Sequence, residues 1–433
     1  MSSTAIAYVA RESVFDRLGI PHALRWGFLG VLMFMTGNGV ESNFIAPHMQ
    51  QALGASGAGL VPTIITMYGV AVIIASYLSG TLADLFGPRR VMLLGFLVWI
   101  AFELLFLVAL TVESLALVFI AYCFRGFGFP LFAFGFLVWV NAIVPRQRNG
   151  AAVGWFYVMF TGGLPTLGTL FAYFSIPAFG DDFLGERSTL WASMVLVTLG
   201  FLLVWLGVRE PTGRRRLAPA HESAGRVMAS GLSLTARNPR VLMGFLVRLI
   251  NTAPVFGMFI IMPAVIADEL GWGQSRWLMM TVIVYAGNIL FNAAFGALGD
   301  KWGWQRTVRW FGVVGSALGL LAWWYVPHLV PAGSEWGYYL SVAAGTLFGI
   351  LLAGFVPMGA IMPALVPDHK GAAMAMYTTA AGGAAFLGAA VVALVQPWGG
   401  NAGVVWAFVA LYGAAFVMLS WLRVSQDGEA AMG

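Results

Sequence analysis

Apolar residues run along this chain in blocks too long and too uniform for the faces of a soluble fold. Stretches such as 91–110 and 190–208 are apolar almost all the way round, whereas a membrane-spanning β-strand alternates apolar and polar residues over about ten positions. A helix that crosses the hydrocarbon core needs about 20 apolar residues. Cutting the chain at charges and at Gly/Pro clusters gives twelve segments of that kind, near 24–46, 59–84, 91–111, 114–142, 150–174, 189–208, 241–266, 276–299, 308–327, 337–364, 371–395 and 402–422. The pattern predicts an all-α membrane protein of twelve transmembrane helices.

The polar positions between these blocks are sorted by charge. Of 23 Lys and Arg, nineteen fall before the first span, after the last, or in the even-numbered loops; Arg187 and Arg276 alone occupy the odd-numbered ones. The odd loops carry acids instead: Glu113, Asp181, Asp182, Glu186, Asp268, Glu269 and Glu335. Basic loops stay in the cytoplasm, so both termini are expected there, with the first span retained because nothing resembling a signal-peptide cleavage site follows it. One long polar insert, 209–240, divides the chain into residues 1–208 and 241–433, six predicted spans on each side.

Composition adds exclusions. The 433 residues are 60% hydrophobic and 9% charged, against about 25% charged in soluble domains, and mean hydropathy is +0.84. A single cysteine, Cys123, rules out a disulfide scaffold. The net charge of +5 follows from loop orientation, so no nucleic-acid partner is expected. Five scattered histidines, acids without metal-ligand spacing and the lack of a Walker loop leave no enzyme chemistry, no metal and no cofactor to expect. Transport driven by a gradient remains.

The two halves repeat. Gly80-Thr-Leu-Ala-Asp84-Leu-Phe-Gly87-Pro-Arg89-Arg90 closes the second span, and Gly296-Ala-Leu-Gly-Asp300-Lys-Trp-Gly303-Trp-Gln-Arg306 closes the eighth at a constant offset of 216. Thr36 and Pro47 match Thr252 and Pro263 at the same offset, while Gly150-Ala-Ala is echoed by Gly371-Ala-Ala. Six crossings per half give both halves one orientation, a parallel repeat with a substrate path between two six-helix bundles near the midplane.

The first of these motifs resembles the signature loop of the major facilitator superfamily, and the second resembles its weaker copy. Further stretches are similar to the bacterial polyol (ribitol and arabitol) porters: Phe34-Met-Thr-Gly-Asn-Gly-Val-Glu41, Arg125-Gly-Phe-Gly-Phe-Pro130, Gly154-Trp-Phe156, Val247-Arg-Leu-Ile-Asn-Thr252 and Phe355-Val-Pro-Met358. The resemblance implies the superfamily's fold, uptake of a sugar alcohol across the bacterial inner membrane, and a monomer as working unit. It also implies an aspartate at position 38, where this chain has asparagine.

Several residues are then singled out for chemistry. Asp84 can pair with Arg89 or Arg90, or meet the positive N-terminal end of another helix such as the one beginning near Gly371; Gly80 permits close packing and Gly87 a tight turn. With Asp300 and Arg306 they form a candidate gate, the alternative being a fixed topological ion pair. Four charges fall within spans: Glu41, Glu103, Arg125 and Arg248. Each costs on the order of 3 kcal/mol at the bilayer centre, so each needs a partner or a wet cavity. Glu41, about 22 Å along the first helix from Trp26, and Arg125 are candidates for proton coupling, with a permanent ion pair as the alternative. Arg248 lies close enough to the cytoplasm to snorkel, and Glu103 reads as a structural carboxyl outside the path. Candidate substrate contacts are Asn38, Glu41, Arg125, Arg248, the uncharged Asn251, Thr252, Asn288, Asn292, Tyr285 and Tyr377, and the aromatic walls Tyr68, Trp155 and Tyr157. Such groups suit a neutral, hydroxyl-rich solute, though packing and helix-to-helix bonding explain many of them equally. The expected activity is proton-coupled polyol uptake. A uniporter or antiporter of a sugar, organic acid or drug is the alternative, and a non-transporting membrane receptor is the alternative of another class.

Overall fold

The computed structural model describes residues 15, 18–42, 44–57, 60–180 and 182–424. Arg11, Arg17 and Asp181, which entered the charge count above, lie outside the described residues. Among the described residues the secondary structure is helical throughout, and nine helices are long and apolar enough to cross a membrane.

Four predicted spans, the first, fifth, eleventh and twelfth, depart from the pattern, each for a local reason. The first helix, Arg25–Gly39, has 15 residues, about 22 Å; the chain turns at 40–42 and 44 and resumes as Ile45–Gly57. The fifth begins among polar residues as Arg146–Thr161, widens into a π-helical turn over Gly162–Leu167 and continues as Gly168–Ala178. Pro165 sits in that turn, where its missing N–H and its ring disfavour a regular α-turn. The eleventh and twelfth are one helical run, Lys370–Met418, broken at Gly400 by a φ of +61°, a conformation open to glycine at little cost.

The wide turn serves packing. A Cβ added to Gly39 would run into the backbone of Leu164, and one added to Gly168 would lie 2.8 Å from the Gly39 Cα. Helices in lipid gain little from hydrophobicity against one another, so close backbone approach at small residues is what holds them.

The halves before and after the insert meet along two seams. Helix Arg146–Thr161 packs along Gln274–Trp302, and helix Val61–Phe86 along Lys370–Met418. Cross-seam bonds run from the Thr378 hydroxyl to the Ser76 carbonyl (2.8 Å) and from the Tyr157 hydroxyl to that of Tyr377 (2.9 Å). The 209–240 insert is more structured than its polarity suggests. It contains an amphipathic helix, Ala224–Arg237, that lies against helices Val61–Phe86, Pro239–Ala264 and Lys370–Met418, and so touches both halves. Tyr77 fastens it by donating to the Met228 carbonyl at 2.7 Å. At its start, burial pushes the Glu210 carboxyl upward, but donors from Trp139, Thr212 and Gly213 outweigh that and hold it below the usual range.

Gly39→Val is expected to destabilise the purified protein by about 1–3 kcal/mol through overpacking, seen as a lower thermal midpoint. Gly413→Ala, where a Cβ meets nothing within 4 Å, should leave the midpoint in place.

Candidate functional site

Helix Leu115–Arg125 stops at Gly126 and restarts at Gly128, leaving Arg125 in a last turn whose free carbonyls favour a cation. The guanidinium is 1% exposed. Its Nη1 donates to Glu41 Oε2 at 2.7 Å and its Nη2 to Glu41 Oε1. Nη1 also reaches Glu103 Oε2. The Tyr122 hydroxyl donates to Glu41 Oε1 at 3.0 Å, and its ring centre lies 4.7 Å from the guanidinium carbon. Tyr68 and Trp99 complete the wall around the cation, at 5.6 and 5.7 Å. Asn38, beside this cluster, accepts from Trp99 Nε1 at 2.8 Å.

Glu103 has a partner that the sequence reading did not name. It is fully buried and shares Arg125 with Glu41. A depth count could have found it: measured inward from the acidic end, Glu103 lies eight residues from Thr111 and Arg125 ten from Leu115, about 12 and 15 Å down their helices. Both charges therefore stand at a similar level.

Of the two readings of Arg248, a substrate contact or a snorkelling cation, the second falls. Arg248 is 4% exposed, donates to Thr252, and lies 4.1 Å from the Phe355 ring centre and 5.0 Å from that of Tyr377. Tyr157 stands at 6.0 Å. Among the described residues no carboxylate pairs with Arg248, and its Nε has no hydrogen-bond partner. This group joins residues of both halves across the seam.

The amides are partly committed to packing. Asn251 donates to the Gly312 carbonyl and Asn288 to that of Gly349 (2.9 Å), so the donors expected to face substrate tie neighbouring helices together. Asn292 reaches Thr161 across the seam at 3.5 Å, and its Oδ1 is unpartnered, as is that of Asn251. Tyr285 stacks on Phe259 at 5.5 Å. Trp155 donates to the Leu18 carbonyl, outside either cluster.

The repeated aspartates each cross a seam. Asp84 accepts from the Ala372 N–H at 3.1 Å, at the start of helix Lys370–Met418. Asp300 accepts from Gly150 and Ala151 N–H groups at 2.9 and 2.7 Å, in the first turns of Arg146–Thr161, and from Trp304 Nε1 at 2.7 Å. Both meet unpaired N–H groups and the positive end of a helix. Gly80 and Gly371 are needed for that approach: a Cβ on Gly371 would occupy the Asp84 carboxylate, and one on Gly80 would meet the Gly371 carbonyl. Gly87 has φ +85°. Arg89, expected beside Asp84, instead donates to the Trp205 and Val208 carbonyls (3.0 Å to the latter), neutralising the end of helix Asp182–Gly207. Arg90 and Arg306 are exposed.

The model of the Major Facilitator Superfamily matches residues 27–329 and 244–431. The chain belongs to the major facilitator superfamily. This facilitator is 36% identical over 417 residues to the D-arabinitol transporter of Klebsiella pneumoniae, covering 95% of each chain. It is 35% identical to the alpha-ketoglutarate permease of Bacillus subtilis (96% of this chain, 93% of the relative). Identity to the ribitol transporter of K. pneumoniae is also 35% (95% and 94%). Its fold is that of the E. coli fucose:proton symporter, with a TM-score of 0.76 at 12% identity over 94% of this chain and 100% of the other. The protein is thus a multi-pass membrane transporter and not an enzyme.

Breaking either aspartate contact should loosen its seam in this facilitator. A charge-assisted hydrogen bond contributes about 1.5–3 kcal/mol. With Ser76→Cys as a buried reporter in a Cys123→Ser background, Asp84→Asn is expected to speed maleimide labelling by about tenfold or more. Arg90→Gln should not change the rate.

Proposed function

We propose that this transporter takes up a small neutral polyol together with a proton, by alternating access of two six-helix bundles. Residues 1–208 form one bundle and 241–433 the other, with 209–240 as the linker, twelve crossings in all, and both termini in the cytoplasm of a bacterial cell whose inner membrane houses a monomer. The observation that carries the coupling is the buried cluster of two carboxyls around one guanidinium, Glu41, Glu103 and Arg125. A group of this composition has a reason to exchange a proton, because its ionised members do not cancel. The polyol reading draws on the named substrates of two relatives. It also draws on uncharged groups at the seam, the Tyr157 and Tyr377 hydroxyls and the free Oδ1 of Asn292.

In this cycle Glu41 takes a proton from outside, the loaded molecule closes over the solute, and the two aspartate contacts on the basic side part to let solute and proton leave. The seams are formed at that basic side, where Asp84 and Asp300 sit, so this conformation is read as closed to the cytoplasm. The proton gradient supplies the energy, without a cofactor.

A second reading is favoured by one observation. Arg248 is a buried cation with no carboxylate partner among the described residues, and a relative at similar identity is named for a dicarboxylate. In that reading Arg248 holds the carboxylate of an organic acid.

Proteoliposomes decide both points. Wild-type protein is expected to accumulate D-arabinitol or ribitol under an inward pH gradient, and Glu41→Gln to lose that accumulation. Full accumulation by Glu41→Gln would remove Glu41 from the coupling. Stronger competition by alpha-ketoglutarate than by either polyol, abolished in Arg248→Gln, would move the substrate to the second reading.

A further inference from the structure

We infer that Glu103 is the fixed counter-ion that makes the proton-loaded form of the Glu41–Arg125 site the electroneutral one; this rests on the proton-coupled reading above. The argument is a charge count in a medium that penalises any imbalance. Glu41 and Arg125 alone are neutral when Glu41 is ionised. Protonating Glu41 would then leave a guanidinium that is 1% exposed with no opposite charge, so a bare pair resists the very proton it would have to carry.

The structure adds a second carboxyl to the same guanidinium. Glu103 Oε2 accepts from Arg125 Nη1, the atom that also serves Glu41. With both acids ionised the cluster carries one net negative charge, and one bound proton brings it to zero. The proton adds to a carboxylate oxygen of Glu41, forming one O–H bond, while Arg125 keeps its ion pair with Glu103. Release on the other side reverses the step, leaving Arg125 paired in both forms.

The surroundings supply no competing charge. Facing the cluster are the hydroxyls of Tyr122 and Tyr68 from helices Leu115–Arg125 and Val61–Phe86, the ring of Trp99 from the helix that bears Glu103, and Asn38 from the first helix. All of these are neutral at physiological pH. Among the described residues no other acid or base pairs with the three. Glu103 Oε2 meets Arg125 and its Oε1 is buried without a hydrogen-bond partner, so among the described residues Arg125 is its one polar contact.

The test uses the full-length transporter in proteoliposomes with D-arabinitol as probe. Three readouts are taken: accumulation under a pH gradient, exchange of labelled for unlabelled solute at equal pH, and the internal pH reported by a trapped dye. In Glu103→Gln, which keeps the shape and an acceptor oxygen, accumulation and solute-linked proton entry are expected to fall about tenfold more than exchange does. Glu103→Asp should restore coupling with a displaced pH midpoint. Wild-type accumulation by Glu103→Gln overturns the inference, as does an equal loss of exchange and accumulation in a variant with wild-type thermal stability, which would mark a structural residue. If Glu103→Gln fails to assemble, Glu103→Asp carries the test, and an unmoved pH midpoint overturns it. Exchange without any proton entry in the wild type would instead defeat the coupled reading itself.

Discussion

A bilayer gives helices almost nothing for burying apolar surface against each other, so what joins the two halves of this transporter has to be polar and close. The structure answers with one device used twice. An aspartate at the end of one helix accepts hydrogen bonds from the N–H groups that open a helix in the other half, Asp84 on Ala372 and Asp300 on Gly150 and Ala151. Each contact joins an aspartate to the positive end of a helix, and each is reached only because glycines let the backbones approach. Both seams carry one of these points, and the linker docks on the backbone of Asp84.

The same economy of charge governs the interior. Charges are scarce within the spans, and the four that lie away from the span ends, Glu41, Glu103, Arg125 and Arg248, are all buried. In the first half they form a triad with unequal signs; in the second, Arg248 sits alone among Tyr377, Phe355 and Thr252. The first half thus buries an excess of carboxyl groups and the second an unbalanced guanidinium among the described residues.

What could be read in advance followed from local regularity. Long apolar blocks gave the helical membrane fold, and the recurrence of Gly, Asp and Arg at one offset gave the halves and pointed Asp84 towards the helix starting near Gly371. The pairing of Glu41 with Arg125 was weighed because both are mid-span charges. Contacts between helices distant in sequence were far less legible. Glu103 reads as a structural carboxyl because sequence alone does not show which helix faces meet, and Asp84 can pair on sequence grounds with Arg89 or Arg90, whereas the free carbonyls of a helix more than a hundred residues away bind Arg89. The amides of Asn251 and Asn288 look alike whether they face a solute or a neighbouring carbonyl. The interruptions after Gly39, at Gly162–Leu167 and at Gly400 are hidden as well, since the residues around them stay largely apolar while the backbone changes course.

The linker and one seam share a residue. The Asp84 side chain holds the start of helix Lys370–Met418, while its own carbonyl accepts from the Leu217 and Ala218 N–H groups at 3.0 Å each. One residue therefore grips the opposite half with its carboxylate and the connecting segment with its backbone. A substitution that displaces the Asp84 backbone therefore disturbs the grip on the opposite half and the docking of the insert at the same time.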